Sequence, residues 1–134
     1  MNRSIALILL GMLTISPVMI MGSAIEVQAE SIENRKAEAD RLLNQGIQQY
    51  EADKLEDAFQ SWQQALRLYQ TIKDRGGEGA ALGSLGNAYA SLGKYDKAIE
   101  YYEKALAIAR EIKSQDGQGT TLINLGAVYV SLNQ

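Results

Sequence analysis

From Ser31 onward, apolar residues recur with the 3.6-residue period of amphipathic helices. Leu42, Leu43, Gly46, Ile47 and Tyr50 share one face at i, i+3, i+4 spacing. Ser31 stands where it can cap that helix, with Glu33 in the first turn where the helix dipole favours an acid. Ala52-Asp53-Lys54 reads as a turn, and a second helix is expected from about Leu55 to Lys73 with Ala58, Phe59, Trp62, Ala65, Leu66, Tyr69 and Ile72 as its stripe. Asp74-Arg75-Gly76-Gly77 then punctuates the chain, and the glycines through Gly79 read as a turn. The best-formed stretch is Leu82 to Ile112, where Leu92-Gly93-Lys94 separates two helical patterns and Gly93 is the expected left-handed C-cap residue.

A shift of 40 residues superposes these patterns. Leu42, Leu82 and Leu122 align, as do Gly46, Gly86 and Gly126. Ala58, Trp62, Ala65 and Leu66 align with Ala98, Tyr102, Ala105 and Leu106, and Gly77-x-Gly79 recurs as Gly117-x-Gly119. Such a constant offset marks an array of helix pairs. Gly86, Ala98 and Ala105 remove bulk where the first helix of a pair meets the second, so the axes can approach closely. Leu82, Leu85, Tyr89, Tyr102 and Leu106 are expected to fill the space around them. Glu100 and Lys104 form an i, i+4 pair on the solvent side.

These residues resemble the tetratricopeptide repeat (TPR) family. The middle copy supplies Leu82, Leu85-Gly86, Tyr89, Ala98, Tyr102 and Ala105. The first supplies Leu42, Gly46, Ala58, Trp62 and Ala65, but has Gln45 and Gln49 in place of Leu and Tyr. The family's proline is missing from both copies, and the period is 40 rather than about 34. The longer form is similar to TPR arrays of scaffold proteins and of bacterial exported proteins, some carrying a caspase-like CHAT domain. The resemblance implies an all-α fold: antiparallel helix pairs stacked as a right-handed solenoid of about two and a half repeats, five helices in all. Repeat one is expected at about residues 37–76, repeat two at about 77–116 and a half repeat at 117–134 within a domain of residues 30–134. The half repeat leaves Leu122, Leu125, Val128 and Tyr129 without a partner helix, as in a fragment of a longer array or a docking surface that could support self-association.

The resemblance also implies a ligand groove lined by the first helix of each pair. By position its residues are Asp40, Leu43, Ile47, Tyr50 and Glu51 in repeat one. In repeat two they are Ala80, Gly83, Asn87, Ala90 and Ser91, and in repeat three Thr120, Ile123, Ala127, Val130 and Ser131. Asn87 is the sharpest candidate, because an amide both donates to and accepts from a peptide backbone. The Lys/Asn/Arg clamp that some relatives use for a terminal carboxylate is absent, since Leu43, Ile47 and Gly83 stand where charge is needed. The expected partner is therefore a protein or peptide, with no cofactor, and the function a protein-interaction module without catalysis. The alternatives are the regulatory TPR part of a larger CHAT-type protease-related protein and a membrane-tethered assembly scaffold.

Residues 1–29 read as a secretory signal peptide. Arg3 supplies the positive start, Ile5 to Ile15 the apolar core, and Pro17 a helix break. Val27-Gln28-Ala29 places small residues before a cleavage at Glu30, with Gly22-Ser23-Ala24 as a second site. An exported, periplasmic or extracellular protein is expected, with no membrane contact after cleavage. The alternative is an uncleaved inner-membrane anchor, although the apolar stretch from Ile5 to Met21 is at the short limit for a span.

Composition narrows the chemistry. The chain has no Cys and no His, which removes thiol nucleophiles, imidazole bases, Cys/His zinc sites and disulfides. Net charge is −3 and no Lys/Arg-rich run exists, so nucleic-acid binding has no evident source. Arg67, Lys73 and Arg75 read as cations near a helix C-terminus. Gly76-Gly77-Glu78-Gly79 lacks a preceding strand and has Leu82 where a phosphate loop needs glycine. Tyr101 reads as an ordinary surface tyrosine, and carboxylate pairs such as Glu51/Asp53 and Glu100/Glu103 as solvated charge.

Overall fold

The apolar periods close into five helices in the computed structural model, which describes residues 17–134, with side chains from residue 21. They are α1 (Pro17–Glu51), α2 (Leu55–Ile72), α3 (Arg75–Ser91), α4 (Tyr95–Glu111) and α5 (Gln115–Leu132), and no strand is present among the described residues. The chain divides into two units, residues 1–31 and 32–134. In the first, Met21, Ile25 and Val27 are exposed. The apolar leader core Ile5–Ile15 lies outside the described residues. Ser31, expected as an N-cap, lies within α1, and Pro17 is the first residue of that helix as described.

Four turns repeat one hydrogen-bonding scheme. The N–H groups of Lys54, Asp74, Lys94 and Ser114 donate to the carbonyls of Gln49, Tyr69, Tyr89 and Ala109. Those of Asp53, Lys73, Gly93 and Lys113 donate to Tyr50, Gln70, Ala90 and Arg110. Both bonds together are the Schellman closure, which requires a left-handed residue just past the helix. Gly93 fills that place at φ 69° as expected, but Asp53 (60°), Lys73 (59°) and Lys113 (56°) do so with side chains. A Cβ there is strained. Lys73→Gly and Lys113→Gly are each expected to raise stability by about 0.5–1 kcal/mol in thermal melts.

The turn before α3 is Lys73-Asp74, so Gly76, Gly77 and Gly79 are helical, not a turn. Packing explains Gly77 and Gly79. A Cβ on Gly77 would overlap the Tyr69 ring, and one on Gly79 would stand 3.2 Å from Ile108 Cγ2. Asp74 caps α3, its Oδ1 accepting from Gly77 N at 2.9 Å, and its Oδ2 meets Lys36 Nζ at 2.8 Å. The Gly77 amide and then Lys36 hold the Asp74 carboxyl below its ordinary value of 3.8. A depressed carboxyl stabilises the fold above its unfolded pKa and loses that contribution as pH falls through the folded one. Asp74→Ala is expected to cost about 1 kcal/mol at neutral pH, and the gap to the parent should narrow in melts below about pH 3.8. Arg75, rather than lying near a helix C-terminus of its own, opens α3 and pairs with Glu78 and Glu111.

The core follows the repeat. Ala39 and Leu42 of α1 pack with Ala65 and Tyr69 of α2 and Ala81 of α3. Ala58 and Trp62 pack with Leu85 and Ala88, and Ala98, Tyr102 and Leu106 with Leu125 and Val128. Of the α5 residues expected to lack a partner helix, Leu125 and Val128 are thus buried against α4. A Cβ on Gly46 would collide with the Trp62 indole, and one on Gly86 would stand 2.6 Å from Tyr102 Cε1. Each even-numbered helix thus presses one ring onto a glycine of the helix before it. The departures in repeat one also pair up. Where Tyr89 meets Tyr101 with ring centroids 5.1 Å apart, the equivalent Gln49 accepts a 2.7 Å hydrogen bond from buried Ser61.

Candidate binding groove

The second pair and α5 enclose a groove of about 440 Å³. Its floor is α4, contributing Ala105, Ile108 and Ala109, together with Ile112 at its C-cap. One wall is α3, where Gly76, Gly79, Ala80 and Gly83 keep the backbone bare, followed by Ser84 and Asn87. The other is α5, with Gly117, Thr120, Thr121 and Asn124. Asp116 is the only charged residue in the lining. Gly79 serves both ends: the close approach of Ile108 asks for bare backbone there, and the same residue thins this wall of the groove.

Of the expected groove residues, the structure brings Ala80, Gly83, Asn87 and Thr120 together here. Asn87 is more engaged than a solvated amide. Its Oδ1 accepts from the Tyr102 hydroxyl at 2.5 Å and from Asn124 Nδ2 at 3.3 Å. It therefore ties α3 to α4 and α5. No further hydrogen bond among the described residues occupies Asn87 Nδ2 or Asn124 Oδ1. The pair retains one amide donor and one acceptor, the complement of a peptide group. Ser84 and Thr121 donate their hydroxyls to their own helices, at Ala80 O and Gly117 O. Sequence reading missed Asn124, although it lies four residues after Thr120 and aligns with Ser84 at the repeat offset.

The other expected positions lie elsewhere. Tyr50 and Ser91 share a 2.5 Å hydrogen bond, and the Tyr50 ring lies 5.6 Å from Trp62. Leu43 accepts from Trp62 Nε1 through its carbonyl at 3.1 Å and packs into the core. Asp40 accepts from the Tyr69 hydroxyl at 2.7 Å, and burial, before that bond, raises the Tyr69 pKa. Ala90 packs against the cluster around Tyr102. Ile47 and Glu51 are exposed, as are Ile123, Ala127, Val130 and Ser131, and none of these six lines the groove.

A second, wider depression of about 880 Å³ runs along the turn edge, between the start of α2 and the end of α3. Phe59 and Tyr89 meet edge to face at 4.8 Å there, but Asp53, Lys54, Glu56, Asp57 and Lys94 rim it. Tyr101, expected as an ordinary surface residue, is half-buried, stacks on Tyr89 and lies under Lys104 Nζ at 5.2 Å. The edge depression is larger, yet charged groups at helix ends bound it. The groove over α4 is walled by three helices and offers free amide groups, so it is the better site for an uncharged backbone.

Among the described residues no group of three or more His, Cys, Asp or Glu is placed to hold a metal ion, and no helix is long and apolar enough to cross a membrane. No protein of curated function matches the chain. Among solved structures it is similar to the TPR domain of Arabidopsis FLU, at 28% identity and a TM-score of 0.70, over 74% of this chain and 83% of that one. The profile of the family described as tetratricopeptide repeat matches residues 35–111 and again 78–134. Helix pairs at a 40-residue offset, rings seated on glycines, and a match over residues 35–134 lead to one assignment: the chain belongs to the tetratricopeptide repeat family.

Proposed function

We propose that this protein is an exported, non-catalytic module that holds a segment of a partner protein in the groove between α3 and α5. The tetratricopeptide repeat fold supports a protein-interaction role. The observation that carries the finer reading is the Asn87–Asn124 pair, with an unspent amide donor and acceptor beside the bare backbone of Gly79 and Gly83. A peptide backbone can approach glycine more closely than any other residue. The near-absence of charge in the lining favours a neutral, mildly apolar segment over a carboxylate terminus or a nucleic acid.

Gly83→Arg tests the site. Nothing lies within 4 Å of a Cβ at Gly83, so the side chain should fill the groove without disturbing the core. Titrating the protein with a peptide selected from a displayed random library should show at least tenfold weaker binding for the variant, with an unchanged melting temperature. Equal affinity for both proteins sinks the assignment. Export rests on the leader motif, and mass spectrometry of the amino terminus in the producing cell addresses it separately. A mature chain starting at Glu30 is the expected result, and an intact Met1 or Asn2 contradicts it.

A further inference from the structure

The groove over α4 has two different ends. Asn87 and Asn124 stand at one, and Gly76, Ser114 and Asp116 line the other. Asp116 brings the one charge in the lining, and its carboxylate takes part in no hydrogen bond or ion pair among the described residues. The helix dipole favours an acid in the first turn of α5, which accounts for the charge but not for its place in the groove. Capping does not account for it either, because the Ser114 hydroxyl accepts from Gly117 N at 3.1 Å and closes the start of α5 without Asp116. The equivalent cap of α3 is Asp74, whose carboxylate is matched by Lys36 at 2.8 Å. Asp116 has no such match. Arg75, one residue before Gly76, is spent on Glu78 and Glu111. Lys113, in the turn before Ser114, makes no ion pair among the described residues and does not line the groove. Three carboxylates thus meet two cations, and this end of the groove is left negative.

We infer that Asp116 sets the specificity of the groove by taking a cationic nitrogen of the bound segment, a Lys or Arg side chain or a free amino terminus. From Asp116 to Asn124 the helix rises about 12 Å, the span of roughly four residues of extended chain. The cation therefore belongs about four residues from the peptide group that Asn87 and Asn124 hold, on a segment that is neutral where it crosses Gly79 and Gly83. A backbone grip alone reads no side chain. A charge at one end selects a partner and fixes which way its chain runs, through a charge-assisted hydrogen bond. This specificity presupposes a segment in the groove, as proposed above. Asp116 is exposed, so the pair stays in contact with water and its contribution is modest and screened by salt.

The probe is a displayed random peptide library selected on the full-length protein, followed by calorimetry of the selected peptides whose binding Gly83→Arg weakens. Those peptides should carry Lys or Arg at a recurring place or require a free amino terminus. Asp116→Asn should weaken them about fivefold, the worth of an exposed charge pair, and Asp116→Lys further. The loss should shrink in molar salt. Two arms on the peptide leave the protein untouched and separate the sources. Norleucine in place of the Lys or Arg removes the effect of Asp116→Asn if a side chain supplies the cation, and acetylation of the amino terminus removes it if the terminus does. Groove-bound peptides that lack a cation, or that bind parent and Asp116→Asn equally, overturn the role of Asp116 and leave the groove assignment standing. Tighter binding to Asp116→Lys overturns it as well. Selected peptides that are all indifferent to Gly83→Arg overturn the groove assignment itself, and this specificity with it.

Discussion

Gly86→Leu is expected to destabilise the protein by about 3 kcal/mol, the upper end of the usual overpacking cost. For a domain of this size that is roughly 12–24 °C in melting temperature. The first atom of the new side chain would stand 2.6 Å from Tyr102 Cε1 and 2.7 Å from Cδ1. The ring has nowhere to retreat, because it is 3% exposed among Ala98, Leu106, Leu125 and Val128 and its hydroxyl is held by Asn87. The same substitution at Gly126 is the internal control. It meets open space and replaces a poor helix former, so stability should hold or rise by up to about 1 kcal/mol. Equal effects at the two glycines would show that helix propensity, not ring seating, governs the repeat.

Tyr102→Ala should be costlier still, about 3–5 kcal/mol, as for other large aromatic truncations. The ring links α3, α4 and α5, and its removal leaves a cavity bounded by three helices. Tyr102→Phe isolates the hydroxyl and should cost about 1 kcal/mol, the worth of one hydrogen bond. Asn87→Ala should cost about the same for the same reason, rather than the negligible amount typical of a surface amide. In the double variant the second change should add little, since both remove one bond. Burial, more than any other cause, pushes the Tyr102 hydroxyl up to about 12. A group whose folded pKa is raised contributes stability that is complete below its unfolded value near 10 and is lost as pH rises toward 12. Alkaline unfolding of the parent should show that window, and that of Tyr102→Phe should lack this contribution.

Much of this architecture was legible in the chain because two residues sixteen apart had to fit each other. A glycine on one helix and an aromatic ring flanked by alanines on the next repeat at the same offset, and that spacing has few readings besides a helix pair. The glycines at 77 and 79 misled for the opposite reason. Local chemistry makes a Gly-Gly pair a turn, but here a ring from α2 and an isoleucine from α4 demand bare backbone inside a helix. Non-glycine residues in left-handed turns were equally hidden, since Lys73 and Lys113 carry no local signal for φ near 60°. In the site, Asn87 was visible as an amide on the inner face. Its engagement with Tyr102 and Asn124 was not, because those partners lie 15 and 37 residues away and only tertiary packing delivers them.

Nuclear magnetic resonance of the labelled protein, titrated with a library-selected peptide, is the most direct measurement of where a partner segment sits. Binding in the groove predicts amide and side-chain shifts at Gly79, Gly83, Asn87, Thr120 and Asn124, abolished by Gly83→Arg. Shifts confined to Phe59, Tyr89 and Leu92 along the turn edge, or to Leu122, Gly126 and Tyr129 on the outer face of α5, would contradict it.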